Sequence, residues 1–271
     1  MDKKLIVAFL CCLFSSGAKA VSLDVVVVYT SGMEAAYPNS TQVKINQMIA
    51  WANVAFQNSS TDVQLNVIAT KKLDLVNSFE TSEDLLSKMV NDSNIVALRN
   101  EFKPDLTIYL TKASSTLCGI AYYPKYEAVG GRVRALKFFP QYGNAVVSYD
   151  CDSFVLAHEV GHSLGAGHGL MDAAGGNGKP IPSSRGYGVQ GLFADVMAYA
   201  WLYGNVTKLQ YFSSPDVSFL SVPIGTVNDN ASRGIKNFSI VASQYSNCYP
   251  MTVAPRWYVR ICKTDIVSKL F

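Results

Sequence analysis

Residues His158 to His168 read HEVGHSLGAGH, and the rest of the chain can be placed from them. Two histidines four positions apart lie on one face of an α-helix, one turn apart, so His158 and His162 can grip a single ion. Glu159 then projects beside that ion rather than at it, where a carboxylate can take a proton from an attacking water. Gly165 has no Cβ and can adopt the left-handed backbone that ends a helix and turns the chain sharply. The turn brings His168 back as a third ligand. Three neutral nitrogens with an open fourth position describe a catalytic zinc site, whereas a structural site is more often closed by cysteines. The chain has only three histidines, and all three lie in this stretch.

The pattern HExxHxxGxxH resembles the signature of the metzincin zinc endopeptidases. Asp195-Val196-Met197-Ala198-Tyr199 follows at a spacing similar to that clan's Met-turn. The resemblance implies that Met197 packs beneath the metal and that Tyr199 binds the ion or helps to stabilise the transition state. Within the clan the chain resembles bacterial reprolysin-like enzymes, including the peptidyl-Asp metalloendopeptidase group. The matching segments are VSLDVVVVYT, CGIAYY, the histidine motif, VMAYA, YFSSPDV and GTVNDNASRGI, which span nearly all of the chain after residue 20. That family commonly carries aspartate directly after the third histidine. Here the residue is Gly169, so the support of the third ligand has to come from elsewhere.

Met1 to Ala20 combines a basic start, an apolar run from Leu5 to Phe14 and an Ala18-Lys19-Ala20 cleavage site, the pattern of a secretory signal peptide. The run is short for a membrane-spanning helix. A secreted protein is expected, with the catalytic domain over 21–249, its N-terminal subdomain reaching to about His168, and a short C-terminal extension over 250–271 that packs on it. The first strand begins close behind the cleavage site, so no prodomain is expected and the enzyme should be active once folded and metallated. Four cysteines remain after the leader: Cys118, Cys151, Cys248 and Cys262. An even number in an exported protein reads as disulfides, with three pairings open. Similarity to the bacterial family favours Cys118 with Cys151, leaving Cys248 with Cys262.

The net charge of +3 is small and no basic run is interleaved with aromatics, so nothing argues for nucleic acid and no such partner is expected. Ser22 to Tyr29 is an apolar β-branched run, as in a strand buried on both faces. Thr41 to Phe56 has helical spacing, Val63 to Leu75 reads as a strand, and Ser82 to Val90 as a helix behind a cap-like Thr81. Leu106 to Thr111 is a third buried strand. This order predicts an α/β (α+β) fold with a mostly parallel twisted sheet. The metzincin resemblance adds an antiparallel edge strand over the active-site helix, sought between Gly119 and Pro140, and a smaller C-terminal subdomain. Gly119 to Tyr149 reads as edge strands, Asp229 to Tyr245 as a closing helix, and Arg256 to Ile261 as a strand, while the resemblance implies that Trp201 to Val222 forms the wall facing the residue just after the scissile bond. The glycine-rich 173–178 follows no strand and reads as a loop.

The function expected from the motif and the resemblance is a secreted, monomeric zinc endopeptidase acting on proteins or peptides, with one Zn2+ held by His158, His162 and His168 and with Glu159 as general base. Calcium occurs in the clan, but no acidic loop here has a recognisable calcium pattern. A second reading is a zinc-containing effector that binds peptide without cleaving it, and a third is a zinc hydrolase of non-peptide amides. Glu159 favours turnover, because a binding site has no need of that carboxylate. Cleavage before an acidic residue, implied by the peptidyl-Asp group, needs a cation in the pocket, for which Arg185, Lys208 and Arg233 are candidates.

Overall fold

The structure, a computed structural model, describes residues 20–75, 80–124, 126–129, 132–135, 140–172 and 180–248. Residues 1–19 of the expected leader, the loop at 173–178, Cys262 and the expected strand at Arg256 to Ile261 lie outside them. No helix among the described residues is long and apolar enough to cross a membrane.

The chain opens with strand β1 (Val21–Tyr29), helix α1 (Ser31–Ala36), helix α2 (Thr41–Asn58) and strand β2 (Val63–Lys72). Helices α3 (Glu83–Asn91) and α4 (Ser93–Phe102) lead to β3 (Leu106–Thr111) and the short β4 (Gly119–Ala121). A hairpin of β5 (Tyr126–Val129) and β6 (Arg132–Ala135) precedes β7 (Asn144–Ser148) and helix α5 (Val155–Ser163). The main sheet runs in the order β2-β1-β3-β7-β4, with the first four strands parallel and β4 antiparallel to β7.

The valine run of β1 shows why the sheet is covered on both faces. Val25, Val26, Val27 and Val28 have no exposed surface. Because side chains alternate along a strand, Leu23, Val25 and Val27 pack with Ile45 and Phe56 of α2, and with Leu156 and Val160 of α5. Val26 and Val28 turn the other way, onto Leu85 and Met89 of α3 and Ile95 of α4. A parallel sheet needs such two-sided cover, since its crossover connections lay helices on its faces.

Three expectations need correction. Ser82, not Thr81, caps α3, its Oγ accepting the Leu85 N–H at 3.2 Å. Thr81 is buried, and both its N–H and its hydroxyl donate to the Lys112 carbonyl. Helix α4 was not anticipated. Asp92 ends α3 and at once caps α4, its Oδ1 accepting from the N–H groups of Asn94 and Ile95. Finally, β7 is an interior strand with all five residues buried, not an edge strand. The edge position belongs to β4, inside the stretch where the antiparallel strand was sought.

Past α5 the chain forms five two-residue strands: β8 (Gly188–Val189), β9 (Phe193–Ala194) and β10 (Thr207–Lys208) pair in the order β10-β9-β8, and β11 (Ser218–Phe219) pairs antiparallel with β12 (Val222–Pro223). Helix α6 (Ala231–Ala242) closes this part, capped by Asn230 Oδ1 accepting from the Arg233 N–H at 2.9 Å. Its Ile235 and Phe238 return to the core beneath the sheet.

Candidate metal centre

Helix α5 carries His158 and His162 on one turn, with Glu159 between them. It stops at Leu164, and Gly165 follows with φ of +89°, the left-handed conformation the turn requires. The chain then doubles back and His168 faces the helix. The Nε2 atoms of the three histidines stand 3.0 Å (His158 to His162), 2.9 Å (His162 to His168) and 3.1 Å (His158 to His168) apart.

The protonation pattern follows from the partners. His158 Nδ1 faces the Val196 carbonyl at 2.8 Å and His162 Nδ1 faces the Ala166 carbonyl at 2.8 Å. A carbonyl can only accept, so in both rings Nδ1 carries the proton and Nε2 presents its lone pair. Nδ1 of His168 meets the carboxylate of Asp172, which fixes the same tautomer. Burial, then the neighbouring His168, pushes the His158 pKa down to about 3. Burial and the adjacent imidazoles likewise hold His162 well below its usual value, and burial lowers His168. Three acceptor nitrogens crowded within about 3 Å repel one another unless a cation lies between them. Zn–N bonds of about 2.0–2.1 Å suit a triangle of this size. The donor set therefore fits a metal ion, and nitrogen ligands favour zinc over calcium or magnesium.

Glu159 is buried, and its Oε2 has no hydrogen-bond partner among the described residues. Burial pushes its pKa well above the ordinary carboxylate value; a divalent cation beside it would draw the value down again. Gly119 of β4 makes the space for it. A Cβ there would stand 2.6 Å from Glu159 Cγ and 2.7 Å from its Cδ.

Asp195 to Tyr199 forms the floor and one wall. Met197 is fully buried, and its Sδ packs against Gly161 from below. Asp195, also fully buried, accepts the Met197 N–H at 3.0 Å and so braces the turn; desolvation raises its carboxyl pKa to about 8. The Tyr199 hydroxyl reaches to 3.3 Å from His168 Nε2, and its ring stacks on the exposed Trp201 at 4.3 Å. Burial raises its pKa to about 12. The contact of Met197 with α5 makes a prediction. In Gly161→Ala the new Cβ would lie 2.7 Å from Met197 Sδ and 3.0 Å from Phe212 Cε1. Overpacking of that kind is expected to cost about 1–3 kcal/mol, read as a lower midpoint in urea unfolding; an unchanged midpoint would mean that the two elements are not in contact.

Two neighbours escaped the sequence reading. Tyr123, just past β4, sets its ring edge-on to His162 with centroids 4.9 Å apart, and burial pushes its phenol pKa up. The other is Asp172, described above. Cys118 and Cys151 are joined by a disulfide that ties the start of β4 to the chain before α5. The expected partner of Cys248 lies outside the described residues.

A cleft of about 420 Å³ opens beside the histidines, lined by Leu117, Gly119, Phe154, Val155, Glu159, Val196, Tyr199 and Trp201, and also by Lys208 and Asp152. Lys208 Nζ sits 3.0 Å from Asp152 Oδ2 and 4.5 Å above the Phe154 ring. Of the three candidate cations only Lys208 lines this cleft. Arg185 instead bonds the Asn228 carbonyl and approaches Asp229, and Arg233 bonds the Val227 carbonyl.

Residues 42–169 match the metallo-peptidase family M12B reprolysin-like. A curated relative, the peptidyl-Asp metalloendopeptidase of Pseudomonas aeruginosa, is 27% identical over 237 residues, which cover 79% of this chain and 38% of that protein. The chain thus spans well under half the length of that relative. A chain in the structure of a chaperone–substrate complex is similar in fold, with a TM-score of 0.64 and 16% identity over 84% of this chain and 35% of that one. Mature mirolysin of Tannerella forsythia, in complex with a cleaved peptide, gives a TM-score of 0.47 and 12% identity over 85% of this chain and 98% of that one. With three converging histidines, a methionine packed beneath them and this family match, the chain is metzincin-like, similar to the M12B reprolysin-like metallopeptidases.

Proposed function

We propose that this protein is a secreted zinc endopeptidase, acting as a single chain, that cuts proteins or peptides and uses Glu159 as its general base. The observation that carries the reading is the convergence of three lone-pair nitrogens beside a buried carboxylate, one of whose oxygens has no hydrogen-bond partner among the described residues. Zinc held by His158, His162 and His168 would supply a Lewis acid that brings the pKa of water to about 7 and polarises the scissile carbonyl. Glu159 takes the proton from the attacking water and delivers it to the leaving amine. Tyr199 offers its hydroxyl to the developing oxyanion, and its place 3.3 Å from His168 Nε2 supports that role. Export rests on the signal-like start of the chain.

Substrate binding follows from the sheet. Strand β4 is the last in the order and pairs on its outer side with no other strand among the described residues, which supports an extended peptide adding there as a further strand. The side chain after the scissile bond then enters the cleft, whose lining includes Lys208. The name of the Pseudomonas relative specifies aspartate. For this chain we propose acidic residues at that position, exchanging with Asp152 for the Lys208 ammonium.

Sequencing the new N termini released from a denatured protein mixture tests both parts. The zinc-loaded protein should generate termini enriched in aspartate or glutamate, and a chelator should abolish them. Lys208→Glu should lower cutting before acidic residues about tenfold or more, the worth of a hydrogen bond to a charged group. An unchanged preference in that variant would remove Lys208 from the pocket's selectivity.

A further inference from the structure

Two of the three metal-facing histidines are held by main-chain carbonyls, and the third is not. Nδ1 of His168 meets a carboxylate oxygen of Asp172, whose side chain is only 6% exposed. The chain brings the carboxylate there by a tight turn in which the Asp172 N–H donates to the Gly169 carbonyl at 3.0 Å. Position 169 itself has no room for it. A Cβ on Gly169 would lie 2.8 Å from the Tyr203 hydroxyl and 3.4 Å from the Gly186 carbonyl.

We propose that Asp172 is a positioning residue for His168 and raises the affinity of the site for zinc, an inference that rests on the zinc reading above. A carboxylate accepting from Nδ1–H does three things at once. It fixes the tautomer with the lone pair on Nε2, locks the ring plane, and makes the imidazole a stronger donor than a carbonyl partner would. His168 needs this more than its fellows, because it stands beyond the end of α5 and is not held by the helix.

The test is zinc affinity, measured by competition with a chromophoric chelator, together with the visible spectrum of the cobalt-substituted protein and the thermal midpoint of the metal-free protein. Asp172→Ala is expected to weaken zinc binding by about 10–100-fold and to shift the cobalt bands. Asp172→Asn, whose amide oxygen still accepts from Nδ1–H without a charge, should fall between the two. The metal-free midpoints should stay close to that of the parent. Gly169→Asp combined with Asp172→Ala should not restore affinity. Variants that bind zinc within twofold of the parent would overturn the proposal while leaving the zinc site standing. Loss of zinc only in step with loss of the metal-free fold would also overturn it. A parent protein that fails to bind one zinc would overturn both this and the peptidase reading.

Discussion

Glu159→Gln is expected to keep its zinc and to lose turnover by roughly 10²–10⁴-fold, the range of a general base removed from its reaction. Glutamine has nearly the same shape, so it can occupy the pocket that Gly119 leaves open against β4. What it cannot do is accept a proton and pass it on. Because Glu159 points beside the three Nε2 atoms and not among them, the metal should stay. Zinc content and kcat measured on the same preparation separate the two roles. A variant that turns over at the parental rate would remove Glu159 as the base, and one that has lost its metal would make it a ligand.

His162→Ala is expected to abolish both metal binding and cleavage. His162 is the most enclosed of the three histidines, with the Ala166 carbonyl behind it and the Tyr123 ring at its edge. Its removal leaves two nitrogens, which no longer suffice for a tetrahedral site with one open position. It also leaves the Ala166 carbonyl without its ring partner, at a cost of about 1–3 kcal/mol. The sheet and its two packed faces do not involve that ring, so the far-UV circular dichroism should be retained. Zinc near zero per chain with no activity is the expected result. A metal-free variant that still cuts would contradict the assignment.

Much of this was legible because its causes are local. The four-residue step from His158 to His162 is a property of any α-helix, and Gly165 marks the end of that helix by its own backbone. The β-branched run of β1 could be read as buried on both faces for a similar reason. Where two signals share residues the reading failed. Asp92 both ends α3 and begins α4, so the expected helix stops at Val90 and the second one, Ser93–Phe102, goes unread. The apolar run Asn144–Ser148 was grouped with the glycine-rich segments around it, although its five buried residues belong between β3 and β4.

The support of the site is long-range and left little trace in the sequence. Gly119 has no distinguishing mark until β4 lies against Glu159. Asp195 is one aspartate among several until the turn buries it under Met197. The absence of a carboxylate at position 169 was visible, but its replacement by Asp172 depends on the turn between them and on the Tyr203 hydroxyl that fills the space. Lys208 could not be separated from Arg185 and Arg233 until the cleft showed which of them it holds.

The central claim is that this site hydrolyses peptide bonds. Mass-spectrometric mapping of cuts in a complex peptide mixture, comparing the zinc-loaded protein with Glu159→Gln at equal zinc content, tests it most directly. Cuts made by the parent and missing from the variant are the predicted result. No cuts by either protein, with zinc bound in both, would contradict it and make the centre a site that holds peptide without cleaving it.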